Sequence, residues 1–66
     1  MARISIDNGH SFVSIKKAMK EVRWDTIVSY MDDDVREDVH AELAPCTEEA
    51  FLKRYLELSD EDLIIG

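Results

Sequence analysis

The 66-residue chain predicts an α+β domain, mainly helical, in the order β-hairpin, two short helices, αα-hairpin, terminal strand. Three observations carry this. Apolar residues recur every three or four positions through residues 15–58, the spacing of amphipathic helices. Before that stretch they alternate around Asp7-Asn8-Gly9, a strong turn signal. After it, a polar break at residues 59–62 is followed by Leu63-Ile64-Ile65, apolar, β-prone and too short for a helix.

In the first segment Ile4 and Ile6 alternate with Arg3 and Ser5, so residues 3–14 read as a hairpin. A two-residue turn at Asn8-Gly9 pairs Ile4 with Val13. A three-residue loop with Gly9 left-handed pairs Ile4 with Phe12, and this second register is preferred because it places Phe12 on the Ile4/Ile6 face. A slip of one residue exchanges the faces.

Ser14 is placed to cap a short helix whose apolar stripe is Ile15, Ala18, Met19 and Val22. Asp25 is placed to cap a second, carrying Ile27, Val28 and Met31, with Trp24 at the joint. The third helix is expected to start at Asp34, with Glu37 reaching back as a capping box. Its stripe is Val35, Val39 and Leu43. Pro45 ends it, since proline lacks the N–H and drives Ala44 from the α region. Thr47 caps the fourth helix, Cys46 and Phe51 occupy the two positions of a hydrophobic staple, and Phe51, Leu52, Tyr55, Leu56 and Leu58 line its apolar side. The loop of about three residues keeps helices three and four as neighbours. The terminal strand is expected to join the hairpin, because a lone hairpin is marginal and an apolar terminus survives when tied down.

The run Val39-His40-Ala41-Glu42-Leu43-Ala44-Pro45-Cys46-Thr47, with Glu49, Phe51, Leu52, Tyr55, Leu56, Glu57 and Leu58 after it, resembles a segment of short, largely uncharacterised bacterial proteins of conjugative and other mobile elements. The resemblance covers about a third of the chain and implies a genetic context. It brings no activity and no site residues.

Length and composition bound the function. One domain spanning residues 1–66 is expected, and a chain this short buries only about 60% of its unfolded surface. A single cysteine makes no internal disulfide, which fits a reducing compartment. There is no apolar run of membrane-span length, and residues 1–7 hold no signal-type apolar core, so a cytoplasmic location is expected. The net charge of −7 is unevenly spread: residues 1–24 carry +3 and residues 25–66 carry −10. Such a balance repels nucleic acid and membrane and favours a protein partner with a basic surface. Lys16, Lys17, Lys20 and Arg23 form a basic helix face, read as a solvated one.

The chemistry-bearing residues point away from catalysis and from a cofactor. Consecutive Asp32, Asp33 and Asp34 diverge in direction and lack the alternate ligands and turn glycine of a calcium loop. His10, His40 and Cys46 lack paired metal-ligand spacing, and no nucleophile or phosphate-loop motif is present. A domain this small also leaves little room for a pocket of about 300 Å³. No enzyme, metal or cofactor is therefore expected. The candidate partner-binding residues are Asp32, Asp33, Asp38 and Glu42. The leading reading is a small acidic protein–protein interaction module, an accessory protein of a mobile element. The alternative is an acidic inhibitor that mimics nucleic acid in a groove of a host defence enzyme, which requires Asp32, Asp33, Asp34, Glu37, Asp38, Glu42, Glu48 and Glu49 to share one continuous face.

Overall fold

The computed structural model describes residues 1–43 and 45–66, and the expected displacement of Ala44 by Pro45 lies outside the described residues. The elements are β1 (Ile4–Ser5), α1 (Ile15–Glu21), α2 (Trp24–Ser29), α3 (Asp33–Leu43), α4 (Glu48–Leu58) and β2 (Leu63–Ile64). The expected α+β architecture is present. Its sheet is a two-stranded parallel pair, with Ile4 opposite Leu63 and Ser5 opposite Ile64. Leu63 N–H donates to Arg3 O (2.8 Å) and Ile65 N–H to Ser5 O (2.9 Å). Asp62 anchors the approach, accepting from Arg3 N–H at 2.8 Å and from its guanidinium at 3.3 Å. These bonds hold the Asp62 carboxyl below its ordinary pKa.

The hairpin is reduced to one antiparallel bridge, Ile4 to Val13, so the preferred Phe12 register is corrected to the two-residue turn. The reason is local. Asn8 (φ 59°) and Gly9 (φ 88°) both adopt left-handed backbone, as a tight two-residue turn demands. Asp7 then replaces the ladder beside the turn: its carboxylate accepts from Ser11 N–H (2.9 Å), Ser11 O–H (2.6 Å) and Ser5 O–H (2.8 Å). In this register Phe12 turns outward, 38% exposed, with the Arg3 guanidinium 3.8 Å above its ring. Leu58, at the end of the α4 stripe, is likewise exposed. Small residues stand where none was expected: Ala2 is buried, and Ser5 is buried beneath the turn.

Side-chain capping explains the starts of α1 and α4, while α2 starts after Arg23 without a side-chain cap. Ser14 accepts from Lys17 N–H and Thr47 from Ala50 N–H, as the sequence indicates. Helix α2 begins at Trp24 instead of after Asp25, and Asp25 sits in its first turn beside Arg23. Cys46 is exposed, so its thiol is not buried as a staple partner. Trp24 meets the Phe51 ring edge-on (centroids 5.9 Å, 87°), joining α2 to α4. Helices α1 and α3 both pack on α4, whose Leu52, Tyr55 and Leu56 are buried with Ile4, Ala18, Ile27, Val39, Leu63 and Ile65.

Leu63 and Ile65 are nearly fully buried, and each is worth about 1.5–3 kcal/mol. Deleting residues 63–66 is therefore expected to lower the thermal midpoint by more than about 10 °C, and an unchanged midpoint in calorimetry would refute the clasp. Hydrogen bonds from Ser11 and Ser5 lower the Asp7 pKa from 3.8 to about 2. Because the folded value lies below the unfolded one, this contribution is complete above about pH 4 and fades as pH falls towards 2. A carboxyl titration followed by NMR should place the Asp7 midpoint near 2, and Asp7→Asn should remove this part of the acid dependence.

Candidate functional site: the acidic side of α3

The side of α3 away from the core carries Asp33, Asp34, Glu37, Asp38 and Glu42, all exposed, within about half the helix circumference. The opposite side buries Val39 and packs Val35 and Leu43 on the core. The apolar stripe thus dictates where the carboxylates face. With Asp32 at its start, six carboxylates lie along a helix of 11 residues, about 16 Å.

Each carboxylate has a different local role. Asp32 is the N-cap, two residues ahead of the expected Asp34: its Oδ1 accepts from Asp34 N–H at 2.8 Å, and its C=O accepts from Arg36 N–H at 2.9 Å. The Asp32 N–H donates to the hydroxyl of buried Tyr55 at 2.7 Å, and this bond to α4 selects the start. The expected capping box at Asp34 and Glu37 is not formed. Asp33 pairs with Arg36 at 3.0 Å, and Glu42 with Arg54 of α4 at 2.8 Å. Both pairs are solvent-accessible and worth at most about 1 kcal/mol. Among the described residues, Asp34, Glu37 and Asp38 make no ion pair.

Of the four candidate residues, then, Asp38 is uncommitted, Asp32 caps, and Asp33 and Glu42 are partly neutralised. Asp34 and Glu37, which sequence reasoning assigned to capping and, in the alternative reading, to the shared face, are free of capping and lie on that face. The structure adds Asp60 and Glu61, whose polar run reads in the sequence only as a break. The latter two share an open depression of about 500 Å³ with Asp32, Val35, Tyr55 and Leu63. On the other flank of α3, Glu37 and His40 border a second depression of about 440 Å³, floored by Trp24, Val28 and Phe51 and reached by Glu48 of α4. Glu49 borders neither. Both depressions exceed the volume expected for so small a domain, as open surface concavities outside the core. Three or more His, Cys, Asp or Glu side chains do not converge as metal ligands among the described residues, and no helix there is long and apolar enough to cross a membrane.

Fold and face together define a small, mainly helical α+β domain with its negative charge gathered on and around one helix. The family described as anti-CRISPR protein AcrIC5 matches residues 15–58, from the first residue of α1 to the last of α4. That is two thirds of the chain, and the protein belongs to this family. No curated protein and no solved structure matches the chain. Membership favours an inhibitor of host defence over a general mobile-element accessory module.

The cap assignment is directly testable. Asp32→Ala is expected to cost about 1 kcal/mol in denaturant unfolding, Asp32→Asn almost nothing, and Asp34→Ala almost nothing. A large loss at Asp34 with none at Asp32 would restore the later helix start.

Proposed function

We propose that the protein inhibits a CRISPR effector by laying the acidic side of α3 on a cationic surface that the effector uses for nucleic acid. The observation that carries this reading is the run of carboxylates on one helix face inside the family-matched region. Allowing for Arg36 and Arg54, four net charges remain along about 16 Å, one per roughly 4 Å. A single strand of duplex DNA carries one charge per about 3.4 Å of helix axis. The densities are close enough for the helix to compete for the same lysines and arginines. In this reading the mechanism is occupancy, with no reaction and no cofactor. The protein acts in the bacterial cytoplasm, encoded by a mobile element that the host's defence would otherwise destroy.

Association should be steered by charge, and so fast at low salt and slower as salt rises. Changing Glu37→Gln and Asp38→Asn together is expected to slow association roughly tenfold with little change in dissociation, because neither side chain caps a helix or forms an ion pair. Surface-immobilised effector complexes, with kinetics recorded at two salt concentrations, provide the measurement. Rates indifferent to both salt and substitution would remove the acidic face from the mechanism.

A further inference from the structure

We propose that the outer edge of β2 is a docking edge, where an extended, Lys- or Arg-bearing segment of the effector's protein subunit adds as a further strand. The inference rests on the inhibitor reading above and names a second contact, outside the matched helices. In the parallel ladder Leu63 and Ile65 donate to β1, so the N–H and C=O of Ile64 between them point to the opposite side. Among the described residues the sheet ends there: β1 lies between β2 and the Val13 bridge, while β2 has β1 as its one neighbour. Edges of this kind are templates for strand addition.

The ground beside this edge suits such a segment. The 500 Å³ depression runs from Leu63 and Ile64 to the start of α3, with Met31 and Tyr55 beneath it. Tyr55 is 3% exposed and its hydroxyl accepts from Asp32 N–H. Among the described residues that hydroxyl has no acceptor for its own proton, which a main-chain carbonyl of the incoming strand would supply. The charge of the rim selects the side chains. Asp32, Asp60, Glu61 and Asp62, the last paired with Arg3, border the depression, and among the described residues no basic side chain lines it. Alternate residues of an added strand face the same way, so cations at every second position meet these carboxylates. Phosphate groups are repelled by the same rim. The two contacts divide the work: α3 supplies charge density, and the β2 edge supplies directional hydrogen bonds that set orientation.

At 66 residues the chain is accessible to total synthesis, so a single N-methyl group can be placed on Ile64. This removes the outward donor and leaves the bonds to β1 in place. The probe is the purified CRISPR effector that the unmodified protein inhibits in cells. The N-methyl protein is expected to keep the native thermal midpoint but to bind at least tenfold more weakly, through faster dissociation. The Asp60→Asn, Glu61→Gln protein should bind several-fold more weakly, and the Ile64 amide of the native protein should become protected from hydrogen exchange in the complex. Native affinity of the N-methyl protein, or an Ile64 amide that exchanges as fast bound as free, overturns the docking edge and leaves the α3 reading standing. If N-methylation unfolds the protein, the exchange measurement on the native chain decides. Absence of any inhibited effector overturns both.

Discussion

The parallel pairing of β1 with β2 is the constraint on which the rest of the molecule depends. Arg3 and Asp62, which lead into it, are 59 residues apart in sequence. The length-dependent part of closing such a loop is about 3–4 kcal/mol, more than two short-strand hydrogen bonds supply. Burial of Leu63 and Ile65 in the core offsets the remainder. The closure positions more than the core. It draws Asn8 N–H onto Ile65 O at 2.9 Å, so the turn and the tail order one another. It also carries residues 59–62 round to the start of α3, where their charge joins that of Asp32.

Helix α4 has the complementary role. Both the basic helix α1 and the acidic helix α3 pack against it. Within α3 the same apolar stripe that buries Val39 forces Asp34, Glu37 and Asp38 outward. Their charge therefore follows from packing, and it requires no special local conformation. Arg54 reaches from α4 to Glu42 at one end of the acidic row and Arg36 pairs with Asp33 at the other, while Asp60 and Glu61 stand beside Asp32 at the start of α3. A basic partner approaching that end meets main-chain donors and acceptors of β2 within the same footprint.

The sequence by itself determined the helices, their two side-chain caps at Ser14 and Thr47, the apolar stripes and the charge asymmetry, because these depend on neighbours within one or two turns. It also pointed to burial of Leu63 and Ile65. Tertiary structure decided what local rules leave balanced. The choice between Phe12 and Val13 as the partner of Ile4 turned on Asp7, whose carboxylate collects Ser5 and Ser11 and commits Asn8 and Gly9 to the tight turn. Among three consecutive aspartates, any of which caps well, Asp32 was selected by the hydroxyl of Tyr55, 23 residues away. Membership of Asp60 and Glu61 in the acidic surface was likewise invisible along the chain, since only closure of β1 on β2 brings them to α3. In the last two cases the deciding group lies beyond the short range over which spacing and propensity carry information; in the first the two turns fit the same residues, and the local hydrogen bonds of Asp7 favour one of them.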